Sequence, residues 1–273
     1  MTEALYGSDA YAPAQIAARV SAVGVRKARL PWLTQVLLGM LAGAFIGLGA
    51  LMFTLVASDA SLGFAAQRLV GGLAFSLGLL LVSVAGAELF TGNNLIAMAW
   101  AGGHVRTGEL LWHWTLVCGA NLVGAAGLAL LVWLSGHTAM NGGAVARAAV
   151  AIAAAKAELP WREAFFRGVL CNVLVCMAVW MAFAGRSVVD KAVAIVFPIT
   201  AFVAAGFEHS IANMYFFPLA LLLGAPLDSA DMAANLALVI AGNLVGGSVL
   251  VALVYWTIYL RPAAAPRDPS SAP

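Results

Sequence analysis

Charged side chains are scarce in this sequence: Asp, Glu, Lys and Arg make up 10% of its 273 residues, against about 25% in a soluble domain. That supply could not cover the surface of a water-solvated globule of this length, which excludes one. Cysteine is also rare. Cys118, Cys171 and Cys176 lie in apolar stretches and form no CxxC pair, so neither a disulfide framework nor a zinc site is indicated. No basic stripe is interleaved with aromatics and the formal net charge is only +2, so nucleic acid is not an expected partner. The opening residues, MTEALYGSDAYAPAQ, are too polar for a signal peptide, and the first apolar run is expected to direct insertion itself.

Hydrophobic residues, by contrast, form 63% of the chain, in runs long enough to cross a bilayer from about Leu33 to Leu260. Six spans are expected, at roughly 34–57, 69–101, 110–135, 164–184, 192–224 and 234–260. The fold class is therefore an all-α membrane bundle in lipid. Residues 1–30 read as an N-terminal segment: Ile16, Val20 and Val23 recur at helical spacing beside Arg19, Arg26, Lys27 and Arg29, suggesting an amphipathic helix at the membrane surface. Residues 31–261 form the membrane domain, and 262–273, rich in Pro, Ala and Ser, are expected to be a disordered tail.

Two runs are too long. Leu69–Trp100 and Ala192–Gly224 each exceed 30 residues, a helix of roughly 48 Å against a hydrocarbon core of about 30 Å. Each holds helix-disturbing chemistry near its middle: Gly86-Ala87-Glu88-Leu89-Phe90-Thr91-Gly92-Asn93-Asn94 in one, Gly206-Phe207-Glu208-His209-Ser210-Ile211-Ala212-Asn213 in the other. Both are read as broken helices. Internal similarity agrees. Ala85-Gly86-Ala87-Glu88 reappears as Ala205-Gly206-Phe207-Glu208, Asn121-Leu122-Val123-Gly124 as Asn243-Leu244-Val245-Gly246, and Leu30-Pro31-Trp32 as Leu159-Pro160-Trp161. The offsets of 120, 122 and 129 residues map three spans onto three. An odd number of spans per half implies an inverted repeat, an architecture of transporters and channels. Nine Lys and Arg fall on the side of the termini and five (Arg68, Arg147, Lys156, Arg162 and Arg167) on the other, which places both termini in the cytoplasm.

Ionisable side chains at mid-span mark a pathway or a partnered core group: here Glu88, Glu208 and His209. Each glutamate precedes a break, where freed backbone N–H groups need an acceptor; capping them accounts for both, with direct contact with a solute as the other reading. His209 has only Leu89 as counterpart, so the break does not require it. It can donate to an anion or exchange a proton with it, the alternative being a satisfied core histidine. Thr91 and Ser210 can bond a solute or their own backbone. The half-helices expected after the breaks, from near Asn94 and Ile211, would present N-termini and a positive dipole end to a small anion. Phe75, Leu79 and Phe202 read first as ordinary packing and second as constrictions. Lys156, expected in a loop, either draws anions to the mouth or is a solvated lysine.

These motifs resemble the formate/nitrite transporter family across all six spans, in GGLAFSLGLLL, AGAELFTGN, CNVLVCMAVWMA, AGRSVVDKA and most specifically GFEHSIANMYFFPLAL. The wording GRSVVDK and YWTIYLR is closest to formate-channel members. The resemblance implies a homopentamer of aquaporin-like protomers in the cell (inner) membrane, each with its own pore, without cofactor or metal. Carried over by position, it implies a substrate pathway of His209, Thr91, Asn172, Asn243 and Lys156, and a constriction of Phe75, Leu79, Leu89, Val175 and Phe202. The acidic residue before the first break, Asp in some members, is Glu88 here. The implied substrates are small anions of weak acids, formate first and nitrite second, with hydrosulfide or short monocarboxylates behind. A neutral-solute channel of aquaporin type is the alternative, but it lacks the paired Asn-Pro-Ala signature. An enzyme is not expected: Ser210 directly follows His209, so the two point apart on a helix, and the four histidines lack ligand spacing.

Overall fold

A computed structural model describes residues 10–261. The first nine residues of the N-terminal segment, and the tail with Arg267, lie outside the described residues. Among those described, six helices are long and apolar enough to cross a membrane: Trp32–Ala57, Phe64–Gly86, Thr107–Leu134, Trp161–Ala182, Val188–Ala205 and Ser229–Tyr259. They are called the first to sixth spans below.

The first and fourth spans begin alike. Pro31 and Pro160 sit at their N-caps, where a missing N–H costs nothing, and Trp32 and Trp161 are 64% and 62% exposed. Such positions suit aromatic rings at the bilayer interface. The first span packs on the third and the fourth on the sixth. Glycine permits both approaches. A Cβ at Gly124 would run into the Met40 carbonyl oxygen, and one at Gly246 into that of Val169. In lipid, where burial of apolar surface gives no drive, such backbone-to-backbone proximity is what holds helices together.

The second span widens into a π-turn over Leu81–Gly86 and ends there, residues 92–101 resuming as a short 3-10 and α half-helix. The fifth span stops at Ala205, and Ser210–Leu222 begins a second half-helix. Gly86 (φ 89°) and Gly206 (φ 75°) occupy the left-handed region at these two points, 120 residues apart. A side chain there would be strained, which explains why both turns carry glycine.

Two differences from the sequence reading follow from packing. Helix Pro13–Ala28 turns Ile16, Ala17, Val20 and Gly24 onto residues 92–101 and the end of the sixth span, so its apolar face is covered by protein. Residues 144–157, expected as loop, form a helix that buries Val145, Ala149 and Ala153 against the Ser210–Leu222 half-helix. One valine followed by alanines at i+4 and i+8 gives little hydrophobic signal, yet packs closely. Lys156 therefore stands in the last turn of a helix, not in a loop.

Candidate functional site

Each non-helical turn is held by one asparagine. Asn121 Nδ2 donates to Gly39 O (2.7 Å) and Glu88 O (2.9 Å), while its Oδ1 accepts from Phe90 N (2.9 Å). Asn243 Nδ2 donates to Gly168 O (2.8 Å) and Glu208 O (3.0 Å), and its Oδ1 accepts from Ser210 N (3.0 Å). Glu88 N and Glu208 N donate to Leu38 O and Arg167 O, each at 3.2 Å. Every one of these bonds recurs at the offsets read from the sequence. An amide with two donors and an acceptor can satisfy three backbone groups at once, and a carboxylate cannot.

The glutamates accordingly do something other than cap. Among the described residues neither carboxylate accepts a backbone N–H. Glu88 receives Lys27 Nζ (3.2 Å) and Asn93 Nδ2 (2.6 Å); Glu208 receives Lys156 Nζ (2.8 and 2.9 Å) and Asn213 Nδ2 (2.8 Å). The expectation that Glu88 and Glu208 cap the breaks is thus corrected. A buried carboxylate is best satisfied by an ammonium, and the asparagines have already taken the freed amides.

Two cavities open beside these ion pairs. The larger, about 490 Å³, is bordered by Lys27, Glu88 and Lys191 among its charged groups, and by Leu79 and Leu89 at its floor. The smaller, about 230 Å³, is bordered by Lys156, Arg68, Arg167 and Glu208, and by Phe75, Phe202 and His209. Cations outnumber carboxylates in each, so both favour an anion. Between them lies a closed layer: Phe75 and Phe202 are 3% exposed and meet edge to face at 5.6 Å, and Leu79 and Leu89 are 2% exposed. Val175 is buried in the same cluster but borders neither cavity.

His209 sits in this layer, stacked on Phe202 at 5.9 Å. Its Nδ1 accepts from Ala212 N (3.2 Å), making it the N-cap of the second half-helix. The histidine therefore does serve the break, which its absence from the first half had concealed. With Nδ1 an acceptor, the neutral ring carries its proton on Nε2, which lies 3.0 Å from Thr91 Oγ1. Thr91 accepts that proton and keeps its own hydroxyl hydrogen to donate. Asn172 and Asn243 are fully buried and border neither cavity. Asn172 Nδ2 is taken up by Asn94 Oδ1 (2.7 Å), Asn243 O (2.7 Å) and Thr91 O (3.3 Å).

Lys27, Asn93, His113, Asn213 and Asn235 were not singled out by the sequence reading. The signal was present: offsets of 129, 120 and 122 carry Lys27 to Lys156, Asn93 to Asn213 and His113 to Asn235. Those three pairs occupy matching places around the two glutamates.

Comparison with known proteins agrees with this construction. Residues 14–257 match the sequence profile of the formate/nitrite transporter family. The chain is 38% identical over 273 residues to formate channel FocA of Escherichia coli (strain K12), covering 93% of this chain and 96% of that one. A solved pentameric formate channel with formate bound superposes with a TM-score of 0.78 at 37% identity, over 84% of this chain and 98% of that chain. A solved FNT family ion channel gives 0.81 at 32%, over 89% and 98%. With a family match over nearly the whole chain and six membrane-length helices around a layered site, the protein is a multi-pass membrane protein belonging to the formate/nitrite transporter family.

Proposed function

We propose that the chain forms a transmembrane passage for small anions of weak acids, formate first and nitrite second, assembled as a homopentamer with both termini in the cytoplasm of an inner-membrane protein. Its two halves are read as inverted repeats. One observation carries the transport reading: two cationic cavities meet at a thin, closed apolar layer whose polar contact is the His209–Thr91 pair. Lys27 and Lys191 on one side, and Lys156 with Arg68 and Arg167 on the other, concentrate the anion. The layer of Phe75, Leu79, Leu89 and Phe202 then opposes a bare charge, whose transfer into apolar surroundings is costly, and passes the neutral acid far more readily.

The tautomer of His209 sets the division of labour. A neutral ring with Nδ1 held by Ala212 N has no proton to spare, and charging it would break that cap. The proton therefore reaches the solute from water in the cavity. His209 fixes Thr91 so that the hydroxyl hydrogen points at the entering oxygen. Supporting this reading are the relatives that bear the name formate channel and the solved homologue with formate bound.

The test is flux into proteoliposomes of formate, nitrite, hydrosulfide and glycerol over a pH series. Formate flux that rises as pH falls, with glycerol excluded, is expected; equal permeability to glycerol and formate would overturn the reading. His209→Phe should lower formate flux across the pH series, because a phenyl ring cannot orient Thr91, and should also loosen the second half-helix, whose cap it removes. Wild-type formate flux in that variant removes His209 from the pathway.

A further inference from the structure

The two halves place matching residues around their glutamates but differ at two points: Asn213 Oδ1, unlike Asn93 Oδ1, has no partner among the described residues, and the group facing the asparagine changes. Asn235 Oδ1 accepts from Asn213 Nδ2 (2.8 Å) in the second half; at the same place in the first, His113 Nε2 lies 2.9 Å from Asn93 Nδ2. The roles in the first half are fixed by the neighbours. Asn93 Oδ1 accepts from Lys27 Nζ (2.9 Å), so Nδ2 is its donor end. One Nδ2 hydrogen goes to Glu88 Oε2 (2.6 Å) and the other to the imidazole, which must therefore present a lone pair at Nε2. His113 Nδ1 has no partner among the described residues, so the ring is anchored through Nε2 alone. Glu88 Oε2 stands 3.7 Å from that nitrogen.

We infer that His113 is a titratable group of the pathway: by taking a proton from the larger cavity it switches the charge of that cavity, and so makes anion entry pH-dependent from that side only. The inference rests on the transport reading above. An imidazolium at this position could no longer accept from Asn93. Its Nε2–H would meet another donor, and Glu88 Oε2 is the acceptor within reach. Glu88 would then be shared between two cations, and the Lys27–Glu88–His113 group would change from neutral to a net charge of about +1 at acid pH. Glu88 and Asn93 border the cavity, so a proton has a path to the ring. In the second half Asn235 cannot ionise, so no such charge is added beside the Lys156–Glu208 pair.

The groups facing His113 are few. Lys27 comes from helix Pro13–Ala28 and Glu88 from the turn after the second span. On its own helix Glu109 lies one turn earlier, paired with Arg29 and Arg106. Four further elements pack on the third span; one, the turn His137–Ala139, follows the far end of that span, so its His137 does not face His113. The first span and residues 92–101 carry no titratable side chain, and Ser210–Leu222 carries only Tyr215.

The decisive comparison is His113→Asn, which keeps an amide oxygen where the second half already uses one and removes only the ability to charge. Formate flux is measured in right-side-out and inside-out vesicles carrying the full chain, lowering pH on one face at a time from about pH 7 to about pH 4. Because protonation of formate itself is common to both proteins, the ratio of wild type to variant isolates the residue. That ratio should rise about two- to tenfold on acidifying the Lys27 face, the effect of one charge roughly 10 Å from an anion between water-like and protein-like screening. It should stay flat on acidifying the Lys156 face. A flat ratio on both faces, or an equal rise on both, overturns the inference alone; a wild type that passes no formate overturns the transport reading with it. Should His113→Asn fail to assemble, the ring ¹⁵N resonances of His113 in the wild-type channel decide: they must pass from neutral to charged within the same range, and a ring that stays neutral refutes the switch.

Discussion

A buried asparagine in a bilayer core is costly unless both ends of its amide are used. Asn121 and Asn243 use theirs fully, each pairing a carbonyl and an N–H freed by an interrupted helix and tying them to a carbonyl of a neighbouring span. Asn243→Ala should lower stability by about 2–4 kcal/mol, since buried unpaired groups cost about 1–3 kcal/mol each and water can reach some of them. Asn243→Asp should be no better, because it turns acceptor oxygens toward the Gly168 and Glu208 carbonyls. Thermal unfolding in detergent measures both. The ion pairs admit a sharper test. Lys156 and Glu208 have side chains 15% and 5% exposed. Lys156→Met leaves a buried carboxylate with Asn213 alone, a loss of about 3–5 kcal/mol for breaking one partner of a buried pair. Lys156→Met combined with Glu208→Gln should recover most of that stability but not the anion flux, because the attracting charge is gone. Recovery of both would show the pair to be purely structural.

At the level of the helices, the two breaks depend on backbone that only glycine adopts at ease. Gly206→Val places a branched side chain at φ 75°, with its Cβ 3.0 Å from Arg68 Nη2. The strain is of order 1–3 kcal/mol. Arg68 also loses its seat: its Nε and Nη2 donate to Ala204 O (3.0 Å) and Val203 O (2.6 Å), the last carbonyls of the fifth span. The variant is expected to lower the melting temperature of the solubilised protein and to reduce flux, as measured by circular dichroism and vesicle assay. A fully active, equally stable Gly206→Val protein would show that the turn tolerates side chains. Gly124→Leu should be worse, since no flexible group can retreat: a Cβ there meets the main chain of the first span.

The whole molecule leaves much apolar surface uncovered, including Phe64 (82% exposed), Phe197 (72%), Leu131 (64%) and Trp161 (62%). In a membrane protein this surface faces lipid or a sister subunit. For a homopentamer, native mass spectrometry from mild detergent should return five chains, whereas a monomer that transports at the wild-type rate would refute the assembly. The pathway as proposed does not run between subunits: both cavities and the layer between them are built from a single chain. Exchange of inactive and active subunits should therefore give flux proportional to the active fraction.

Much of this was legible from residues alone. Scarce charge and recurrent apolar runs gave six spans because lipid leaves no other solvent for such a surface. The excess length of two runs, with Gly, Glu and Asn at their middles, located both helix interruptions to within a few residues, and the repeated motifs gave the correspondence between halves. Other features depended on contacts between distant segments, which a linear reading does not weigh. That the glutamates hold lysines instead of amides follows from Asn121 and Asn243 occupying the freed backbone groups. That Lys27 and His113 belong to the site at all follows from helices Pro13–Ala28 and Thr107–Leu134 being folded against the first break. Composition and periodicity decide which solvent a chain can live in and where it must bend; which buried polar group satisfies which is settled only when several segments compete for the same few donors and acceptors in a space without water.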